Sequence, residues 1–290
     1  MWRAAGAWRL RPYLGTWDYR DAMTRVGVFG AAGRMGATVC EAVLRAPDLE
    51  LVAAVDPAAA GRRLDEVAGG WGSGLEIAGS PSALSDAGAD VAVDFTVAAA
   101  ARENLRWCAD HGVHAVCGTT GLSEADLESA RAWFSGAAHA VVAANFSIGA
   151  ELMMRCAELC APFVAAAEVI ELHHDRKRDA PSGTSLATVR RLQRARDSSG
   201  AGDWAADPTE AELVEGSRGG RVEGGVHVHS VRLPGLVAHQ EVIFGLQGET
   251  LRLRHDSLDR ASFMPGVLLA VRRVGDLPGV TVGLGDLLAL

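Results

Sequence analysis

A short apolar strand that runs straight into a glycine-spaced turn and then a helix constrains this chain more than any other feature. Residues 25–29 (Arg-Val-Gly-Val-Phe) read as a buried strand, Gly30-Ala-Ala-Gly-Arg-Met-Gly36 as the turn, and residues 35–45 as a helix. Glycines at this density weaken a segment unless their conformational freedom is used. Here they let the chain turn tightly and let the helix begin close to the strand. A β-α-β rhythm follows, with strands over 50–55, 89–95, 113–117 and 140–144. A helix over 98–111 stops at Gly112, and another opens at Ser123 with Asp126 three residues on, close to a capping box. Strands rich in valine and alanine, alternating with helices, predict a Rossmann-like α/β fold with a doubly wound parallel sheet.

After Asn145 the rhythm changes. A helix from Ile148 ends near Ala161, where Pro162 disfavours continuation. A strand over 167–172 and a helix over 182–196 follow, then a polar stretch over 197–224 that reads as an exposed excursion. Strand-like runs at 226–233, 236–244 and 250–254 are separated by Pro234-Gly235 and Gln247-Gly248. Three successive strands joined by short turns predict a second, α+β domain with a mostly antiparallel sheet. The tail adds an apolar helix over 263–274 and a strand at 281–283 that can return to the first domain. The expected division is residues 23–145 with 255–290 for the first domain and 146–254 for the second. Residues 1–22, with three tryptophans, four arginines and no acid before Asp18, read as a loosely packed extension ahead of Met23.

Composition removes several classes of partner. A net charge of −8 disfavours nucleic acid and anionic membranes, and no apolar run is long enough to span a bilayer. Cys40, Cys108, Cys117, Cys156 and Cys160 form no metal or redox spacing, which points to reduced core thiols in a cytoplasmic protein. His227-Val-His229 places two imidazoles on one strand face, but without a third ligand in the pattern they read as ordinary strand positions and no metal is expected.

The glycine turn implies a dinucleotide. Gly30, Ala31, Ala32, Gly33, Arg34 and Met35 would lie under a pyrophosphate at a helix N-terminus, where free N–H groups favour an anion. Asp56 follows the second strand 20 residues after Gly36, placed to accept from ribose hydroxyls. Its carboxylate favours NADH, while Arg34, Arg62 or Arg63 can offset a 2′-phosphate, so NADH and NADPH both stay open. Phe95-Thr96 and Gly118-Thr-Thr-Gly121 fall at strand ends on the carboxyl edge, where a nicotinamide ribose would lie; Thr96, Thr119 and Thr120 can alternatively be helix caps.

The most concentrated chemistry lies in Glu171-Leu-His-His-Asp-Arg-Lys-Arg-Asp-Ala-Pro-Ser-Gly-Thr184. His173, His174 and Lys177 can move protons, and Lys177 with the backbone around Ser182 to Thr184 can hold an anion. So many polar groups in one stretch are expensive to bury without purpose. Beside a dinucleotide turn they imply hydride transfer coupled to proton transfer.

This block resembles the signature of the dihydrodipicolinate reductase (4-hydroxy-tetrahydrodipicolinate reductase) family of lysine and diaminopimelate biosynthesis. Residues 26–36, Asp94-Phe-Thr96, Gly118-Thr-Thr-Gly121, Ala143-Ala-Asn-Phe-Ser147 and residues 231–242 match as well, so the resemblance spans nearly the whole chain beyond the extension. It implies His173 as acid/base residue, Lys177 as proton donor and His174 as a substrate contact. Ser182, Gly183 and Thr184 would hold a substrate carboxylate. Phe95, Gly118, Thr119, Thr120, Ala143, Ala144, Asn145 and Phe146 would line the nicotinamide side. The substrate would be a small cyclic dicarboxylate, and the assembly a homotetramer built through the second-domain sheets. Without the resemblance, the residues also admit another nicotinamide-dependent reductase of an imino- or amino-dicarboxylate, or a nucleotide-binding sensor without turnover.

Overall fold

The computed structural model describes residues 23–69 and 72–289; the expected extension over 1–22 lies outside the described residues. The first part of the chain alternates β1 (Thr24–Phe29), α1 (Arg34–Arg45), β2 (Leu49–Val55), α2 (Leu64–Ala68), β3 (Ile77–Ala78) and α3 (Ser82–Asp86). It continues through β4 (Val91–Asp94), α4 (Ala98–Asp110), β5 (His114–Cys117), α5 (Glu124–Trp133) and β6 (Ala140–Val142). The second part holds α6 (Ile148–Cys160), β7 (Ala166–His173), α7 (Gly183–Ser199), β8 (Gly220–Arg221), β9 (His227–Arg232), β10 (Ala238–Leu246) and β11 (Glu249–Ser257). The chain closes with α8 (Met264–Arg273), β12 (Val280–Val282) and α9 (Gly285–Leu288).

The first sheet is parallel throughout, in the order β12-β6-β5-β4-β1-β2-β3. Apolar side chains leave the strands on both faces. Val26, Val28 and Val93 pack with Val39 and Val43 of α1 and Val267 of α8, while Phe29, Val55 and Cys117 pack with Leu105 of α4 and Phe134. Chain order reverses between β1 and β4, which opens a crevice at their carboxyl ends. The expected capping box is present: Ser123 Oγ accepts from Asp126 N, and Asp126 accepts from Ser123 N. Strand β3 and the short helices α2 and α3 lie in a stretch where the sequence pattern gave no element, whereas β2 is the expected strand over 50–55.

The second sheet runs β11-β10-β7-β9-β8 and corrects one expectation. Strands β9 and β10 are not neighbours, because β7 lies between them, parallel to β9 and antiparallel to β10. The five residues 233–237 bridge the gap left by one intervening strand, about 10 Å. Leu233 N donates to His173 O, so this connection bends round the end of β7. A short Pro-Gly link therefore joins strands two places apart, where a hairpin was the simpler reading. Val169, Val228, Val242 and Phe244 face α7 and pack against Val189 and Leu192.

The excursion over 197–224 is mostly exposed but anchored. Arg196 donates to the carbonyls of Ala161, Val164, Gly202 and Asp203 and lies over the Trp204 ring at 4.1 Å. Asp207 and Arg218 fasten it to the sheet through Glu168, and Gly220–Arg221 pair with β9. Among the described residues, no helix is long and apolar enough to cross a membrane.

Candidate active site

At the carboxyl edge of the first sheet, geometry explains two of the three glycines of the turn. Gly30 has φ +66°, a conformation that side chains strain. A Cβ on Gly36 would stand 2.0 Å from Gly30 O, so only glycine lets α1 start this close to the turn. Arg34 and Met35 begin α1, whose N-cap is Gly33 and whose first turn carries no acid. That leaves first-turn amides and the positive end of the helix dipole directed at the crevice. Asp56 closes the other side: its Oδ2 accepts from Ala32 N at 3.2 Å and its Oδ1 from Ala58 N at 3.1 Å. Ala31 is fully buried against the sheet.

Three further strand ends converge there. Phe95 follows β4 and lies so close to Gly118 that a Cβ on the glycine would enter its ring at 2.0 Å. Phe146 packs on Phe95 with ring centroids 5.7 Å apart. Asp94, buried, accepts from Thr96 N (2.7 Å), Thr96 Oγ1 (2.7 Å), Asn104 Nδ2 (2.7 Å) and Thr119 Oγ1 (3.2 Å). Thr96 and Thr119 thus bond a carboxylate and cap no helix; Val97 and Ser123 occupy the N-caps of α4 and α5. Thr120 and Ala144 are exposed at the edge, and Ala143 is buried beside them.

The second sheet brings the histidine segment to the same region. His173 ends β7 and its Nδ1 donates to Glu171, a fully buried carboxylate held also by Arg232 Nη1 (2.9 Å) and Nη2 (2.7 Å). Burial pushes the Glu171 carboxyl up, but hydrogen bonds from His173, Arg232 and Ser230 outweigh it and bring it down to about 2. Burial likewise lowers His174, helped by the positive charge of Arg176 and Arg260. His174 Nδ1 accepts from Arg176 N at 3.2 Å, which makes Nε2 the ring donor of the neutral form. Lys177 Nζ donates to both oxygens of Asp179 (2.8 and 2.7 Å), and that contact holds the Asp179 carboxyl below its usual range.

Ser182 is the N-cap of α7: its buried Oγ accepts from Ser185 N at 3.2 Å. Gly183 opens the helix with open space where a Cβ would be. Thr184 Oγ1 accepts from Asn145 Nδ2 at 3.3 Å, which links α7 to the end of β6. His173, Asn145, Ser182 and Thr184 together line a cavity of about 40 Å³, completed by His239, Gln240 and His255.

Comparison with known proteins decides the family. The model of the dihydrodipicolinate reductase N-terminus matches residues 24–146, and that of the C-terminus matches residues 149–288. The chain belongs to the dihydrodipicolinate reductase family. It is 50% identical over 268 residues to 4-hydroxy-tetrahydrodipicolinate reductase of Nocardia farcinica, covering 92% of this chain and 99% of that one. Identity to the Cutibacterium acnes reductase is 49% over 270 residues, covering 92% and 100%. A solved, dipicolinate-bound dihydrodipicolinate reductase from Paenisporosarcina sp. TG-14 has a TM-score of 0.76 at 34% identity, covering 91% and 99%. An amine dehydrogenase from Mycobacterium smegmatis, 17% identical with a TM-score of 0.59, shares the fold alone.

Several residues of the candidate site were not singled out by the sequence pattern. His239 and His255 share the cavity with His173. His255 Nε2 bonds Ser147 Oγ at 3.0 Å, and Ser147 N donates to Asn145 Oδ1 at 2.8 Å, so β11 is tied to the start of α6. Their contacts cross between strands far apart in sequence, and no local spacing announces them. Glu171 had a signal, since a carboxylate two residues before His173 on a strand shares its face. His227 and His229 lie elsewhere. His227 Nδ1 bonds Arg218 O at 2.9 Å, and His229 Nε2 bonds Glu168 at 2.8 Å. Cys40, Cys108 and Cys117 are buried, and burial followed by the charge of Asp94 pushes the Cys117 thiol up to about 12. Cys156 departs from the expectation of core thiols: it is exposed on α6.

Proposed function

We propose that this chain reduces 4-hydroxy-tetrahydrodipicolinate, or the cyclic imine formed from it by loss of water, to tetrahydrodipicolinate with NADH or NADPH, in lysine and diaminopimelate biosynthesis. One observation carries the reading: a tautomer-fixed imidazole and the N-terminus of α7 line one cavity with Asn145, which follows β6 of the dinucleotide-type sheet. Family membership and relatives named for this reaction support it.

The residues fit a nicotinamide dinucleotide. The Gly36 approach leaves backbone in place of side chains at the start of α1, as a pyrophosphate needs. Gly30, Ala31, Ala32, Gly33, Arg34 and Met35 would hold that group and Asp56 a ribose. Phe95, Gly118, Thr119, Thr120 and residues 143–146 would border the nicotinamide. When bound, the reduced nicotinamide supplies the hydride. The chain's own groups do the rest. His173 Nε2 and Lys177 Nζ hold the transferable protons, and a donor within hydrogen-bond reach is what the reduced ring requires. The amides of Gly183 and Thr184, with Thr184 Oγ1, bind one carboxylate at the helix N-terminus. His174 Nε2 donates to the substrate.

Nicotinamide oxidation with freshly generated 4-hydroxy-tetrahydrodipicolinate tests this, with NADH and NADPH in parallel. Turnover is expected only with substrate present. Lys177→Ala lowers kcat roughly 10²–10⁴-fold while nucleotide affinity stays. Nucleotide binding without turnover in the parent would overturn the substrate, and equal loss of binding and turnover in the variant would overturn the part given to Lys177.

Residues 23–145 with 255–290 form the dinucleotide-binding domain in this reading, and 146–254 the substrate-binding and oligomerisation domain. Membership of β12 in the first sheet supports the return of the tail. The protein acts in the cytoplasm, a reading supported by its buried free thiols. It assembles as a homotetramer through the second sheet. On the face turned from α7, Ile170, Leu172, Val231 and Ile243 stay half-exposed, an apolar patch that a second copy can cover. Light scattering should return a mass of four chains; a monomer at micromolar concentration would remove this assembly.

A further inference from the structure

We infer that Glu171 and Arg232 form a positioning pair that sets both proton-carrying groups, His173 through the Glu171 carboxylate and Lys177 through the backbone of Asp179. The inference rests on the reading of His173 and Lys177 given above.

Glu171 is fully buried on the inner face of β7. An ionised carboxylate only accepts, so the ring nitrogen facing it must carry hydrogen. His173 is therefore fixed with Nδ1 protonated, and Nε2 becomes the atom that gains and loses the second proton. Arg232 occupies both oxygens of the same carboxylate, at 2.9 and 2.7 Å, and its Nη1 also donates to Val231 O. Its Nη2 reaches on to Asp179 O at 2.7 Å. The side chain of that same Asp179 takes Lys177 Nζ with both oxygens. One guanidinium thus stands behind His173 by way of Glu171 and behind Lys177 by way of Asp179. Strands β7 and β9 are paired with His173 opposite Arg232, so the frame is a sheet ladder and not a loop.

Stability alone does not account for the pair. A buried ion pair commonly gives no more stability than two apolar side chains of the same size. What an apolar pair cannot give is an acceptor for His173 Nδ1 and a donor for the Asp179 carbonyl. The other titratable groups around His173 do not substitute. His174 is beside it in sequence, and His239 of β10 and His255 of β11 line the same cavity. His239 is itself bonded to Asp256 at 2.7 Å and His255 to Ser147. Glu171 is the carboxylate in hydrogen-bond contact with His173.

The test compares Glu171→Gln, Arg232→Lys, the charge-neutral double variant Glu171→Gln/Arg232→Met, and His173→Gln. Steady-state kinetics across pH, nucleotide affinity and thermal midpoint are measured for each. Glu171→Gln is expected to lower kcat roughly 10- to 100-fold with KM and nucleotide affinity within about threefold. The basic limb of its kcat profile moves to lower pH, because the carboxylate that accepts from His173 Nδ1 is gone. Arg232→Lys keeps the charge but loses the fork and falls between parent and Glu171→Gln. The double variant removes both charges together, so it keeps its fold and nucleotide affinity yet repeats the loss in kcat. Parent-like kcat and an unmoved limb in Glu171→Gln and the double variant would overturn the inference. So would losses of kcat and nucleotide affinity that merely follow the thermal midpoint. Full turnover in His173→Gln would instead remove the reading beneath it, so the two failures are distinguishable.

Discussion

Among the described residues, two carboxylates are buried at strand ends, Asp94 at the end of β4 and Glu171 near the end of β7, and they are satisfied in opposite ways. Asp94 takes all its hydrogen bonds from neutral donors: an amide, two hydroxyls and the Asn104 side chain. Glu171 takes its bonds from a guanidinium and an imidazole, with Ser230 adding a hydroxyl. Neutral donors fix positions and carry no proton that leaves near neutral pH. Asp94 accordingly sets the backbone of Phe95-Thr96 and the Thr119 hydroxyl, at the edge where the nicotinamide side would lie. An imidazole donor does carry such a proton. The same burial device therefore fixes a strand end in one sheet and, in the function proposed above, would support a proton-handling imidazole in the other.

Acid titration gives the larger of two effects that sharpen this contrast. The Glu171 carboxyl is depressed from 4.5 to about 2 in the fold. A depressed carboxyl contributes stability above its unfolded value, and that contribution is lost as pH falls through the folded value. The parent should therefore lose stability between pH about 4.5 and about 2, on the order of 2–3 kcal/mol from this group. Glu171→Gln removes that share, so the difference in unfolding free energy between parent and variant narrows over the same window. A constant difference across it, followed by chemical denaturation at fixed ionic strength, would mean that Glu171 does not carry the depressed carboxyl.

How much of this was legible in the sequence divides along the same line. The parallel sheet, the glycine turn and Asp56 follow from local spacing, because Gly30, Gly33 and Gly36 act on backbone within one turn. The His173–Thr184 block was legible as chemistry because its groups are contiguous. Its support was not. Arg232 lies 61 residues from Glu171, and the two meet only because β7 is inserted between β9 and β10. The run of three strand patterns at 226–254 pointed to neighbouring strands, and nothing local in Pro234-Gly235 distinguishes a hairpin from a link over an intervening strand. His255 was hidden for the same reason, since its partner Ser147 is 108 residues away. Arg196, which pins the excursion, donates to the distant carbonyls of Ala161 and Val164 and lies over the Trp204 ring, contacts that composition does not announce.

The smaller effect comes from Asp94→Asn, set against Glu171→Gln. Oδ1 of Asp94 accepts from Thr96 N, Thr96 Oγ1 and Thr119 Oγ1, and an asparagine oxygen can keep that place. The new NH2 then faces Asn104 Nδ2, 2.7 Å from Oδ2 in the parent. Asn104 can turn its amide over and present oxygen, so the mismatch has a local remedy. Arg232 has none, because a guanidinium cannot accept. The Asp94→Asn change should therefore cost about 1 kcal/mol, lower the thermal midpoint by roughly 2–4 °C and leave kcat within about threefold of the parent. Removing the remedy with Asn104→Leu in the Asp94→Asn background leaves the new NH2 without an acceptor and should add about 1–3 kcal/mol. Calorimetry and steady-state kinetics on the single and double variants read both numbers. A kcat loss in Asp94→Asn as deep as that of Glu171→Gln would erase the distinction, because a carboxylate held by neutral donors would then be acting on the proton chemistry after all.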